Sequence, residues 1–145
     1  MSTAPYDLAA GGGARPGDPG RAAIRLWRAV TVALVAGYFL EAVFAGAMLS
    51  GVGWAHKAHA MTAGLLIAAT TVAGLVSTLT LRRFPPGLRL GLMLLALAAA
   101  AFVQAAAGAM TAKGHNLAWL HIPLGVALVG LAGQAAAEAR RLGAP

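Results

Sequence analysis

Histidine is the residue type in this chain with the broadest chemistry, and the four histidines occur as two pairs. His56 and His59 lie within WAHKAHAMTAG, and His115 and His121 lie within KGHNLAWLHIPLG. A neutral imidazole offers a lone pair to a metal ion and can also exchange a proton near neutral pH. The chain has no cysteine, which excludes thiolate nucleophiles, iron–sulfur clusters, thiolate-bound zinc and disulfides. The two pairs therefore favour imidazole-based metal or proton chemistry.

One histidine of each pair belongs to an internal repeat. A shift of 62 residues aligns His59 with His121, and it also aligns the Gly-Ala-Met tripeptide at Gly46 with the one at Gly108. Self-similarity at a fixed offset is typical of a duplicated structural unit. We interpret the two stretches as copies of one unit, with one histidine in each copy.

The composition is that of a membrane protein. Of the 145 residues, 59% are hydrophobic and 10% are charged, and the mean hydropathy is +0.75. A soluble domain carries about 25% charged residues. The net charge of +7 would suggest nucleic acid in a soluble protein, but here the positive charges flank apolar segments. We therefore expect the lipid bilayer as the surroundings and no nucleic-acid partner.

Four apolar runs, each about 20 residues long, match the thickness of a bilayer. They predict a transmembrane domain over residues 25–141, with spans at about 29–49, 58–81, 88–110 and 117–137. The apolar core of a signal peptide has only about 7–15 residues, so we expect the first run to stay in the protein. Residues 1–24 are rich in Gly, Ala and Pro and lack apolar periodicity, which predicts a disordered cytoplasmic tail.

The apolar runs must be helices, because an isolated strand in hydrocarbon would leave its backbone polar groups unpaired. The RRFPPG segment at residues 82–87 predicts a turn between the second and third helices. The sequence thus predicts an all-α integral membrane protein, an up-down-up-down four-helix bundle made of two repeated helical hairpins. The hairpins run parallel to each other, so His59 and His121 should face one another across the bundle at similar depth.

The arginines predict the orientation of the bundle in the membrane. Nine of the eleven Lys and Arg residues flank the termini and the middle loop, whereas the first and third loops hold only Lys57 and Lys113. Positive charge concentrates on the cytoplasmic side. We therefore expect a multi-pass protein of the cytoplasmic membrane, with both termini in the cytoplasm and all four histidines on the outer side. The nine residues are Arg15, Arg21, Arg25, Arg28, Arg82, Arg83, Arg89, Arg140 and Arg141.

Heme is the group that best suits two facing histidines. Heme iron accepts axial nitrogen ligands on opposite faces, and two symmetry-related helices can supply them. We predict heme b with His59 and His121 as the axial iron ligands, and Lys57 and Lys113 at the outer edge as partners of the heme propionates. Several small residues near the histidines leave room for a flat macrocycle, although they also permit close helix packing without a cofactor: Ala60, Ala63, Gly64, Gly108 and Gly125.

The other outer residues have a simpler interpretation. His56 and His115 have no partner in the repeat and lie nearer the loops, so we interpret them as side chains in the wet interface. Trp54 and Trp119 are interpreted as interfacial anchors, because the indole ring suits the level of the lipid headgroups.

Glu41 is the one carboxylate inside a predicted span. An ionisable group at that depth is costly and is a functional candidate. It could relay a proton towards the histidines, or it could hydrogen-bond a neighbouring helix. Gln104 occupies the matching place in the second copy, at an offset one residue larger, so only the hydrogen-bonding role is shared by both copies. Both roles remain open on the sequence.

The predicted role of the heme is one-electron transfer near the outer face, with quinol or a partner subunit as the redox partner. The sequence leaves two alternatives open. One is a copper site, since Met48, Met61 and Met110 lie near the histidines and thioether and imidazole ligands suit copper. The other is an accessory membrane subunit without a cofactor. Whether the protein is an enzyme stays open on the sequence, with Glu41 as the candidate proton relay.

The residues also resemble a known family. An apolar helix, an outer loop and a histidine that opens the next helix occur twice, as HAMTAG and LHIPLG. This pattern, over about residues 29–137, resembles one four-helix half of heme A synthase and small four-helix membrane proteins related to that half. The resemblance implies a heme-binding bundle with His59 and His121 as the histidines of the second and fourth helices. His56 stands where the synthase has an acidic residue, and only one half is present, so the resemblance implies heme binding rather than heme oxidation.

Overall fold

Four long α-helices make up this protein. The computed structural model describes residues 19–143, so the part of the predicted tail before residue 19 lies outside the described residues. Within the described range there is no strand, and the helices are α1 (Arg21–Leu49), α2 (Ala55–Thr80), α3 (Pro85–Ala112) and α4 (Ala118–Arg141). Each helix is long and apolar enough to cross a membrane. The predicted all-α four-helix bundle is confirmed.

The helices extend beyond the apolar runs that predicted them. The apolar run begins near residue 29, but α1 already begins at Arg21. The helix starts earlier because arginine is a good helix former and its stem can reach from a helix end to the membrane surface. α3 begins with Pro85 and Pro86, a position where the missing N–H groups of proline cost nothing. An apolar run therefore marks the part of a helix that suits hydrocarbon, not the ends of the helix.

Each helix packs against its neighbours in the sequence, and α4 closes the ring by packing against α1. Across the ring, the backbones of the described parts of α1 and α3 stay more than 8 Å apart between Cα atoms, as do those of α2 and α4. The result is an up-down-up-down bundle in which α2 and α4 lie diagonally opposite. The loops that follow α1 and α3 share one end, called here the histidine end, and the α2–α3 loop lies at the other, called here the arginine end.

The packed core lies towards the arginine end. The last buried residue of α1 is Tyr38, and the first buried residue of α4 is Leu128. The centre of the core is formed by leucines of α3 that have almost no exposed surface, Leu90, Leu94 and Leu97. Of the residues 41–65 and 102–127 that form the histidine end, only Ala55 and Ala107 are buried. A larger share of the side chains is therefore exposed at the histidine end than in the rest of the bundle.

Polar side chains add specific links between helices in the packed half. The hydroxyl groups of Tyr38 and Thr70 are hydrogen-bonded at 3.1 Å between α1 and α2, and Ser77 donates to the carbonyl oxygen of Gly87 on α3 at 3.1 Å. Such bonds between membrane helices satisfy groups that hydrocarbon would leave unpaired. They fix the depth at which neighbouring helices meet, and with it the depth of the histidines.

The two loops at the histidine end have the same turn geometry. Gly51 and Gly114 have φ angles of +81° and +93°, a region that glycine occupies without steric cost. In each loop the glycine N–H bonds the carbonyl three residues earlier, to Met48 in the first and Thr111 in the second. Corresponding residues of these turns are 63 positions apart in the sequence, and so are Glu41 and Gln104. His59 and His121 are only 62 positions apart. The first connection is thus one residue longer than the second.

Candidate functional site

His59 and His121 come together at the histidine end, as the repeat predicted. Their ring centroids are 6.4 Å apart and their planes are perpendicular. His59 lies in the second turn of α2, and His121 lies in the first turn of α4. These helices are diagonal neighbours whose backbones are not in contact in the described chain, so the two rings approach each other across the interior of the bundle.

His121 is held by α3 through two hydrogen bonds. Its Nδ1 lies 2.9 Å from the backbone carbonyl oxygen of Gln104, and the Gln104 side-chain amide donates to the backbone carbonyl of His121 at 2.7 Å. Because a carbonyl oxygen only accepts, Nδ1 carries the proton and the Nε2 lone pair stays free. Gly108 makes room for the ring, since a Cβ there would lie 2.6 Å from Cε1 of His121. Gly125 likewise lets the Gln104 amide approach.

His59 has its partner on α1. Its Nδ1 lies 2.9 Å from Oε1 of Glu41, a distance that fits an ion pair if the imidazole is protonated. The angles of this contact fall outside those of a hydrogen bond, and Nδ1 and both carboxylate oxygens are buried with no hydrogen-bond partner in the described chain. Buried polar atoms without partners are rare in folded proteins and point to functional sites. The sequence placed Glu41 near the histidine level but did not predict direct contact with His59.

The two halves of the site follow one plan. In each hairpin, Nδ1 of the histidine on the second helix lies close to a residue of the first helix. This residue is Glu41 for His59 and Gln104 for His121, and the two occupy matching positions. Histidines that bind metals nearly always place their second nitrogen against a carboxylate or a backbone carbonyl, which fixes the ring and its tautomer. Both types of partner are present here, one in each half.

The separation of the rings fits a metal ion between them. Two nitrogens bound to opposite sides of one ion lie about 4 Å apart and their ring centroids about 6 Å apart, because each metal–nitrogen bond is about 2 Å long. The observed distance is 6.4 Å. No group of three or more His, Asp or Glu side chains in the described chain could hold a metal ion. Two imidazoles are the protein donors that a metal with four other ligands would take, and heme iron is a metal of that kind, since the macrocycle supplies four nitrogens itself.

The remaining outer residues lie around this pair rather than in it. His56 and Lys57 are exposed on the first turn of α2, and Lys113 and His115 are exposed in the α3–α4 loop. Both lysines thus lie at the histidine end, where the prediction placed partners for heme propionates. Trp54, at the start of α2, is 63% exposed, and its ring packs edge-on against Phe44 at a centroid distance of 5.9 Å.

The methionines that suggested copper are not gathered around the histidines. Met61 is 65% exposed and Met110 is 44% exposed, while Met48 is partly buried. Copper bound through thioethers and imidazoles would need these sulfur atoms close to the rings. Two of the three side chains instead lie on the outer surface of the bundle.

One buried carboxylate escaped the sequence interpretation. Glu138 on α4 is 5% exposed and lies near Arg89 on α3 at 3.7 Å and Arg141 at 3.3 Å. The signal that could have found it is its spacing of three residues from Arg141, which places both on one helix face. Glu138 lies at the arginine end, far along the bundle from His121, so we assign it to packing of α3 against α4 rather than to the histidine site.

No protein-family model, curated protein or solved structure matches this chain. The function is therefore inferred from the side chains that the fold gathers at the histidine end: two facing imidazoles, a buried carboxylate and an amide in the matching place.

Proposed function

We propose that this chain is a membrane-embedded protein that binds one b-type heme between His59 and His121. The observation that carries the proposal is that Nδ1 of each histidine, the ring nitrogen that would not bind the iron, has a neighbour in a matching place of the two hairpins. Each Nδ1 faces the preceding helix, one at Glu41 and one at Gln104, at 2.9 Å in both cases. At His121 this contact is a hydrogen bond that fixes the ring and leaves Nε2 as a ligand. At His59 the Glu41 carboxylate lies beside Nδ1, which would likewise leave Nε2 as the ligand.

The packing of the bundle supports a bulky cofactor at this end. The arginine half has a dense leucine core, whereas only Ala55 and Ala107 are buried in the described histidine half. A flat group held between the two imidazoles would cover side chains of this half that are exposed without it. Lys57 and Lys113 at the outer edge of this half would hold the propionates, because an ammonium group at the membrane surface attracts a carboxylate there.

The proposed activity is one-electron transfer at one face of the membrane. A bound heme supplies reversible one-electron chemistry, with a potential that depends on its axial ligands and on the burial of the site. The chain's own contribution is to fix two imidazoles, to place a carboxylate beside one of them and to keep the site close to the surface. That placement favours electron exchange with quinol or a partner subunit. On the HAMTAG and LHIPLG motifs, we further propose a relationship to one four-helix half of heme A synthase.

An absorption spectrum of the purified protein tests this proposal. Protein produced with ample heme should show a sharp Soret band and resolved visible bands on reduction, as expected for six-coordinate, low-spin iron. A chain without a Soret band that binds copper in proportion to its histidines and methionines would be the copper protein instead. A chain that binds neither would be the accessory subunit, and the heme proposal would be wrong.

We also propose that this protein lies in the cytoplasmic membrane, with its termini and its α2–α3 loop on the cytoplasmic side. The arginines Arg82 and Arg83 of that loop, against single lysines in the other loops, support this orientation. Cysteines introduced at Ser50 and Asn116 should react with an impermeant thiol reagent added to intact cells, and one introduced at Pro85 should not. Labelling at Pro85 alone would reverse the orientation and move the histidines to the cytoplasmic side.

Glu41→Gln tests the role of the buried carboxylate. We expect the variant to fold and to keep its low-spin spectrum, because an amide already serves in the matching place of the second hairpin, where Gln104 bonds the backbone of His121. The measurement is the visible spectrum together with a redox titration at several pH values. If Glu41 relays a proton, the midpoint potential of the wild-type protein will depend on pH and that dependence will disappear in Glu41→Gln. An identical pH dependence in both proteins would exclude the relay.

A further inference from the structure

A cavity lies at the arginine end, at the opposite end of the bundle from the histidines. Its volume is about 380 Å³, and it lies between the start of α1 and the residues that follow α4. Arg21, Arg25 and Arg28 supply three of its five lining residues, with Ile24 and Gly143 as the others. No acidic side chain of the described chain lines it, so the cavity is strongly positive.

Helix geometry explains why the three arginines converge. Their spacings of four and three residues place them on one face of α1. Arg28 is also fixed to the end of α4, where its Nη2 donates to the carbonyl oxygen of Arg140 at 2.7 Å and its Nε to that of Ala139 at 3.5 Å. These carbonyls belong to the last turn of α4, where few backbone N–H groups remain to bond them; the Ala139 carbonyl also accepts from the N–H of Leu142 at 3.4 Å. The wall of the cavity is thus tied to two helices.

The positive charge of this cavity is not compensated within the described chain. The buried carboxylate nearest to this end of α4, Glu138, is already engaged by Arg89 and Arg141. Arg21 and Arg25 are exposed and have no hydrogen-bond or ion-pair partner among the described residues. Guanidinium groups bind phosphate oxygens through paired, parallel hydrogen bonds. An anion with several oxygens is the ligand that this set of donors fits.

We propose that this cavity binds the headgroup phosphate of an anionic phospholipid. The arginines lie where α1 passes from its charged start into its apolar run, which is the level of the headgroups in a bilayer. Val32 is 57% exposed and lies one helical turn beyond Arg28 on the same face of α1, and it provides apolar surface for the acyl chains. Basic pockets at the membrane surface between helices are known sites for anionic lipids. Lipid is therefore favoured over free phosphate.

Native mass spectrometry of the full chain, released from nanodiscs that contain phosphatidylglycerol and phosphatidylcholine, tests this site. The variant is Arg21→Gln with Arg25→Gln, which leaves Arg28 and its bonds to α4 intact. The control is Arg82→Gln with Arg83→Gln, which removes the same charge from the α2–α3 loop at the same end, outside the cavity. We expect retained phosphatidylglycerol to fall about tenfold in the cavity variant and to stay within about twofold of wild type in the control.

Each other outcome contradicts the proposal. Equal losses in both variants would show that total surface charge, not the cavity, retains the lipid. Full displacement of phosphatidylglycerol by millimolar inorganic phosphate would make this a site for free phosphate. If the double glutamine variant fails to fold, Arg21→Lys with Arg25→Lys keeps the charge but removes the paired donors, and an unchanged lipid content in that variant would exclude guanidinium recognition. The readout is independent of the heme, because the cavity shares no residue with the histidine site.

Discussion

Replacing His59 or His121 with alanine is expected to abolish the low-spin heme spectrum. Six-coordinate iron needs both axial nitrogens, so the loss of either ring leaves five-coordinate iron or no heme at all. The two losses should be comparable, because the rings come from matching places of two hairpins and each Nδ1 lies 2.9 Å from a residue of the preceding helix. The measurement is the heme content and the reduced-minus-oxidised spectrum of each purified variant.

The controls for this experiment are the other two histidines. His56 and His115 are exposed at the same end of the bundle, so alanine there removes an imidazole without removing a ligand. Both variants should keep the low-spin spectrum. If His56 and His115 were essential instead, the protein would bind a cofactor, but its ligands would be His56 and His115 rather than His59 and His121. Wild-type spectra in all four variants would show that no histidine binds the iron.

Gly108→Ala is expected to have the second large effect, although the residue contributes no ligand. The added Cβ would lie 2.6 Å from Cε1 of His121 and 3.1 Å from its Nδ1. The ring cannot move aside freely, because Nδ1 is bonded to the carbonyl of Gln104 on the same helix. A metal-binding histidine loses about 10–100-fold in metal affinity when the group that bonds its other ring nitrogen is removed. We expect a loss of heme of that order, measured by titration of heme into the apoprotein.

Gly46→Ala provides a matched control for Gly108→Ala. Gly46 opens the same Gly-Ala-Met tripeptide in the first copy, yet a Cβ there would meet no atom within 4 Å. Both substitutions replace glycine by alanine inside a helix, where alanine is favoured by about 1 kcal/mol, so the intrinsic change is the same. Gly46→Ala should therefore bind heme normally. Equal effects of the two substitutions would show that the contact with His121 does not position the ring.

The repeat illustrates how far the sequence could locate the candidate site. The spacing of His59 and His121, together with parallel hairpins, was enough to predict that the two side chains face one another, and their centroids do lie 6.4 Å apart. The tripeptides at Gly46 and Gly108 are 62 residues apart, whereas Glu41 and Gln104 are 63 apart. The turns at Gly51 and Gly114 place α1 and α3 at the larger offset.

By itself, the sequence determined the class of this protein and the number and order of its helices. Apolar runs of membrane length, the charges that flank them and the prolines before α3 are local properties, and hydrocarbon allows such runs only one conformation when they stand alone. The same local signals named His59, His121 and Glu41 as the residues whose chemistry needs an explanation.

Only the tertiary structure decided which groups touch. How the helices rotate and slide against one another decides that Glu41 contacts His59 and that Gln104 and His121 form two hydrogen bonds. It also decides that most buried side chains lie in the arginine half. Nearly every position on these helices is apolar or small, so the sequence marks no single face as the interior. Packing of α3 between its neighbours, fixed by Leu90, Leu94 and Leu97, selects that face.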